Sequence, residues 1–165
     1  MNIMIYCRIL FIASVLLLSQ TTLQAQNIST TKSDSLTTID HLVAFASKHL
    51  HIPYRSGGSS KKGFDCSGFV RYCYDQFNIL LPHSSAQQAK HGANIPLEEA
   101  KPGDLVFFNG QRSGSKNIGH VGIITDVSGP SIRFIHSAFK GGIRYDMIDA
   151  AYYRKRLVAI RRLVQ

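Results

Sequence analysis

The sequence is short of acidic residues, short of cysteine and without a long apolar run, and each shortage closes off a class of protein. Ten Asp and Glu stand against 19 Lys and Arg, a formal charge of +9. Such a surplus suits an acidic polymer or a membrane surface, and would also suit nucleic acid. No recognised nucleic-acid-binding motif is present, so no nucleic-acid partner is expected. No stretch reaches the roughly 20 apolar residues that a membrane helix requires, so no stable membrane span is expected. There is no heptad repeat, no internal duplication and no second domain-sized block. The 165 residues suffice for one domain with its own core. Only three cysteines occur. They form no CxxC pair, and no HxxxH spacing accompanies them, so zinc is a weak reading. Neither a metal nor a cofactor is expected.

The first 25 residues, MNIMIYCRILFIASVLLLSQTTLQA, carry one charge, Arg8. An apolar run from Ile9 to Leu18 follows, then small and polar residues up to Ala25. This pattern predicts a secretory signal peptide over residues 1–25 rather than a membrane anchor. Cys7 precedes the apolar run and is misplaced for lipid attachment. Residues 26–38, rich in Ser and Thr, read as a flexible linker, and residues 39–165 as the folded domain. An exported chain would keep Cys66 and Cys73. On one helix their Cα atoms would lie about 10 Å apart, too far for a disulfide. Unpaired thiols in a compartment where thiols oxidise call for an explanation.

Ile39, Leu42, Val43, Ala46 and Leu50 recur at helical spacing and predict a first amphipathic helix. Pro53, Gly57, Gly58 and Gly63 break it. A second helix follows in FDCSGFVRYCYDQF, with Asp65 as N-cap. Cys66, Phe69, Val70, Cys73 and Phe77 share one face of it, while Arg71 and Asp75 lie on another. Cys66 falls in the first turn, beside unpaired backbone N–H groups that would lower its thiol pKa and receive an oxyanion. Cys73, in mid-helix, reads as a small core residue.

A nucleophilic cysteine needs a base. His41, His49 and His51 belong to the first helix or its exit and read as surface residues, as does His91 in a polar loop. His83 follows Pro82 and is ambiguous. His120 and His136 lie instead in β-type runs, GHVGIITDV and SIRFIHSAF, separated by Ser128, Gly129 and Pro130, which predicts a hairpin. With the loop centred near Ser128, the two histidines face each other directly on one core-facing side. A one-residue slip would separate them. Either alone could be a structural histidine. Together with Cys66 they form a nucleophile, a base and an orienting group.

YRSGG, FDCSGFV, LPHSSAQQ, KPGDLVFF, GHVGI and FIHSA occur in this order. That order resembles the NlpC-type papain-like cysteine peptidases of the bacterial cell wall, over about Ile39 to Leu163. The resemblance implies an α+β fold, with N-terminal helices carrying the cysteine packed on an antiparallel sheet carrying the histidines. It makes Cys66 the nucleophile, His120 the base and His136 the orienting residue. It places Tyr54, Asp65 and Ser67 at the substrate site. His83 departs from the family pattern, where arginine is common, and Asp126 departs where glycine is common. The implied reaction is amide hydrolysis in peptidoglycan stem peptides, at the D-glutamyl to diamino acid bond or at the D,D cross-link. The implied partners are peptidoglycan peptides, with acidic envelope polymers also suited to the charge. The implied protein is a monomer, exported to the periplasm or exterior and wall-associated. The rival readings are a non-catalytic wall-binding module and a related thiol acyltransferase.

Overall fold

The computed structural model describes residues 38–110 and 117–163. The signal peptide and nearly all of the linker expected from the sequence fall on residues 1–37 and lie outside the described residues. Helix α1 occupies residues 38–47, so Thr38, the last residue of the expected linker, is already helical. Leu42 and Ala46 are its buried residues. His49, expected at the surface, is instead buried. Its Nδ1 lies 2.8 Å from the Phe45 carbonyl oxygen. Its ring packs against Phe45, Phe64, Phe69 and Tyr72. An imidazole with one nitrogen satisfied by backbone behaves here as an aromatic core residue.

A two-stranded ribbon, β1 (Ser59–Ser60) and β2 (Gly63–Phe64), leads into α2 (Cys66–Asp75) and the short α3 (Ser85–Gln88). Then come β3 (Ala93–Asn94), a 3₁₀ turn at Leu97–Glu99, β4 (Leu105–Asn109), β5 (Ile118–Ser128), β6 (Ser131–Ala138) and β7 (Gly142–Met147). Helix α4 (Ala151–Arg154) and β8 (Leu157–Arg162) close the described chain. The six larger-sheet strands run in the order β3-β8-β4-β5-β6-β7, and every pairing is antiparallel. This is the expected α+β architecture. Among the described residues no helix is long and apolar enough to cross a membrane.

Alternation along the strands divides the apolar side chains into two clusters. Leu105, Phe107, Val121, Ile123, Ile135 and Ile143 pack with Phe64, Phe69, Val70, Cys73 and Tyr74, the α2 side. Val106, Phe108, Ile124, Ile132, Phe134 and Ile160 pack with Tyr153 of α4 on the other. Each large side chain buried in this way contributes about 1.5–3 kcal/mol. Asp104, at the entry to β4, is buried against Arg162 of β8, with both nitrogen–oxygen distances at 2.7 Å.

Candidate active site

The start of α2 is fastened from several directions. Asp65 has extended backbone and caps the helix. Its Oδ1 accepts the Gly68 amide at 2.7 Å and the Ser67 hydroxyl at 3.1 Å. His83 Nε2 lies 3.0 Å from both carboxylate oxygens. The histidine that departs from the family pattern therefore braces the cap. Gln88 Nε2 donates to the carbonyls of Ser67 and Pro82, at 3.0 and 2.8 Å. Ser137 of β6 donates to the Phe64 carbonyl at 2.7 Å. Gly68 has no room for a side chain, because a Cβ there would run into the Gly58 carbonyl oxygen. These ties place Cys66, the first residue of α2, with little freedom.

The Cys66 thiol lies against β5. Burial raises its pKa, and the Asp65 carboxylate raises it further, to about 11, against the lowering effect of the Val121, Ser67 and Cys66 backbone amides. The sequence expectation was the reverse, a thiol depressed by the helix start. The amides are present as expected, but enclosure and the capping carboxylate outweigh them. Cys73 is fully buried and its thiol is pushed up by that burial, as suits a core residue. Both cysteines are free.

The histidines meet on the far face of the sheet from α2, with Phe108, Phe134 and Tyr153. Their pairing is not the direct one expected. The observed register joins Ile123 to Ile135 and Ile124 to Phe134, a shift of two residues. Gly122 therefore lies against His136, where a Cβ would come within 3.2 Å of the His136 Cβ. His120 is the diagonal neighbour, on the same face, and the imidazoles bridge that diagonal. His120 Nε2 lies 2.7 Å from His136 Nδ1. Burial lowers the pKa of His120 to about 3, with neighbouring His136 adding to the effect and Asp146 opposing it. Burial likewise lowers that of His136, which is only 1% exposed.

Beyond His136 stands a group that the sequence reading missed. Asp146 Oδ2 is 2.9 Å from His136 Nε2 and accepts the Tyr153 hydroxyl at 2.7 Å. Arg144 donates to the same oxygen through Nε at 3.0 Å and Nη2 at 2.7 Å. In the sequence GIRYDM, Arg144 and Asp146 alternate like the solvent face of a strand. Only the pairing of Asp146 with Phe134 places the carboxylate diagonally beside His136.

Cys66, His120, His136 and Tyr54 line one cavity of about 690 Å³. Tyr54 meets exposed Phe139 at its rim, the ring centroids 5.4 Å apart. Burial, then the nearby Cys66 and Asp65, raise the Tyr54 hydroxyl pKa. Asp65 and Ser67, expected at the substrate site, are not among the lining residues. Their side chains are turned to the helix cap instead. Among the described residues, Lys140, Arg144 and Arg156 line the cavity and no Asp or Glu does. Among the described residues no group of three His, Cys, Asp or Glu is placed to hold a metal ion.

A model of the NlpC/P60 family matches residues 51–162. The chain is 38% identical to the probable endopeptidase NlpC of Escherichia coli K12 over 133 residues, covering 79% of this chain and 82% of that one. It is 34% identical over 114 residues to the E. coli K12 protein named murein DD-endopeptidase MepS/murein LD-carboxypeptidase, covering 68% of this chain and 56% of that one. A crystal structure of an NlpC/P60 family protein from Bacillus cereus superposes with a TM-score of 0.70 at 26% identity, covering 77% of this chain and 40% of that one. The chain thus spans just over half of MepS and two fifths of the Bacillus protein.

Proposed function

The chain belongs to the NlpC/P60 family, and on that footing we propose that it is an exported cysteine endopeptidase cutting amide bonds in peptidoglycan stem peptides, with Cys66 as nucleophile, His120 as base and His136 as orienting residue. The observation that carries this reading is the 2.7 Å contact between His120 Nε2 and His136 Nδ1, in a cavity that Cys66 also lines. His136 occupies Nε2 of His120, so Nδ1 remains to take a proton.

The reaction follows from that arrangement. With the thiol raised and the imidazole lowered, both are neutral at rest near pH 7. The sulfur attacks the scissile carbonyl carbon as its proton passes to His120 Nδ1. The amides of Val121, Ser67 and Cys66 stabilise the negative charge that develops around the sulfur. His120 returns the proton to the leaving amine, and the thioester remains on Cys66. Water, deprotonated by His120, then releases the acid product and restores the thiol. The cationic lining supports a peptide carrying carboxylates, which a peptidoglycan stem provides.

Similarity to MepS favours the D,D cross-link, while the D-glutamyl to diamino acid bond is the alternative. Purified peptidoglycan incubated with the protein decides the matter by mass analysis of the fragments. Endopeptidase action releases peptides whose new termini identify the bond, and Cys66→Ala abolishes them. Unchanged peptidoglycan with tight binding would favour the wall-binding module. New amide-linked adducts would favour the acyltransferase.

A further inference from the structure

The hydrogen bonds behind His136 determine where protons sit in the catalytic pair. Asp146 lies two residues beyond Arg144, the direct β7 partner of His136. Burial raises the pKa of its carboxyl. The hydrogen bonds from His136, Tyr153 and Arg144 more than offset this and hold it well below the usual carboxylate range. All of those donors converge on Oδ2. The carboxylate is therefore ionised near pH 7, and an ionised carboxylate only accepts hydrogen bonds.

The consequences pass along the chain of contacts. His136 Nε2, 2.9 Å from Asp146 Oδ2, must carry a hydrogen. Burial keeps His136 neutral, and a neutral imidazole carries only one N–H. Its Nδ1 is then bare and can only accept. His120 Nε2, 2.7 Å away, must be the donor in that bond. His120 is neutral in turn, so its own Nδ1 holds a free lone pair. The opposite tautomers would point a lone pair from His136 Nε2 at a carboxylate oxygen.

We propose that Asp146, clamped by Arg144 and Tyr153, is a positioning residue that fixes the tautomers of His136 and His120 together and so makes His120 Nδ1 the base. The proposal rests on the reading of Cys66, His120 and His136 as the catalytic group. Asp146 touches neither substrate nor sulfur in this role. It also offsets the positive charge that the imidazole pair acquires when the Cys66 proton arrives.

Asp146→Ala is the informative change. It removes the acceptor that holds the hydrogen on His136 Nε2, so neither tautomer is fixed and His120 Nδ1 can carry a hydrogen where the lone pair is needed. Loss of a partner that orients a working imidazole typically costs about 10–100-fold, and a loss of about that size is expected here in kcat, with KM little changed. In Asp146→Asn the donors Arg144 and Tyr153 hold the carboxamide oxygen where Oδ2 stands, still facing His136 Nε2, so most of that loss should be recovered. In a His136→Asn background no second imidazole remains to be fixed, and adding Asp146→Ala should cost less than about 3-fold.

The tautomers can also be read without any variant. Nitrogen-15 NMR of the unmodified protein should show N–H at Nε2 of both His120 and His136. In Asp146→Ala the nitrogens of His120 should show both tautomers, and in Asp146→Asn the pattern of the unmodified protein. An N–H at His120 Nδ1 in the unmodified protein overturns the proposal, whether or not the variant folds. So does an Asp146→Ala variant within 3-fold of normal kcat, or an equal loss in both backgrounds, which would mark a merely structural role. Hydrolysis by Cys66→Ala would instead sink the catalytic reading itself, leaving the tautomer result standing.

Discussion

A base must be neutral to act, and the burial that keeps His120 neutral has a cost at low pH that can be measured as stability. The pKa of His120 falls from 6.5 to about 3 in the folded protein, whereas the unfolded chain restores it to about 6.5. A group with a depressed folded pKa contributes stability that is present above the unfolded pKa and lost as pH falls below it. At pH 5 the unfolded form is favoured by about 1.5 pK units, or about 2 kcal/mol. His120 is partly open to the cavity, where water screens its charge, which brings the loss nearer to about 1 kcal/mol. With an m-value of about 1–3 kcal/mol/M, the urea midpoint should fall by about 0.3–1 M between pH 7 and pH 5. His120→Asn removes this titration and leaves the other groups in place. The assay is urea unfolding of both proteins, followed by circular dichroism at the two pH values. The unmodified protein should lose about 0.3–1 M more. Equal falls in the two proteins would refute the neutral, buried imidazole on which the proton-transfer step depends.

The remaining predictions concern the thiols, the imidazole pair and the glycine beneath it. Iodoacetamide should label Cys66 at a rate that climbs from pH 7 to pH 10, because its thiol is raised to about 11, while Cys73 stays unlabelled in the fold. A plateau below pH 6 would reveal a thiolate–imidazolium pair already formed at rest. In a turnover assay His120→Asn should lose essentially all activity, a cost of about 10²–10⁴-fold. His136→Asn should retain a measurable part, since an amide can orient the ring, and His136→Ala should retain less. Full activity in His136→Ala would make His136 a structural residue. Gly122→Ala should displace Phe134 and His136, since its Cβ would stand 2.6 Å from Phe134 Cδ2. A cost of about 1–3 kcal/mol in stability and about 10² in turnover is expected, and normal values of both would show that the imidazoles are not held by this contact.

The parts of the site that were legible in the sequence are those built from local pattern. Asp65 as cap, Cys66 at the helix start and Cys73 in the core follow from spacing along one helix. The two β-runs and their Gly-Pro loop were legible for the same reason. Effects that depend on what surrounds a residue were not. The helix start argued for a depressed Cys66 thiol, but burial in the folded chain, with the Asp65 carboxylate beside it, reverses the direction. His49 has surface spacing at the end of α1, yet Phe64, Phe69 and Tyr72 close over it. Asp65 and Ser67 flank the nucleophile in sequence, but side chains at the start of a helix diverge, and theirs turn to the cap. Asp146 was invisible because its partner lies across the β6–β7 ladder.

The hairpin shows how narrowly the site depends on one irregularity. Ser128 pairs with Ser131, Val127 with Ile132 and Asp126 with Arg133, around the two-residue loop Gly129–Pro130. Gly129 has a φ of +58°, a left-handed value suited to such a tight hairpin turn. Continued without interruption, that register would set His136 opposite Ile123. His120 would then lie on the opposite face of the sheet, because side chains alternate along a strand. A shift between Ile124 and Asp126 absorbs one residue, Thr125, into a bulge. Beyond it Ile124 faces Phe134 and Ile123 faces Ile135, and the parity is restored. His120 returns to the face of His136, two positions along, within reach of its Nδ1. Val121, the next residue, sends its side chain into the α2-side cluster while its amide meets the Cys66 sulfur. One strand thus presents an imidazole on one face and a sulfur-binding amide beside it, and the bulge at Thr125 brings the two halves of the site into the same cavity.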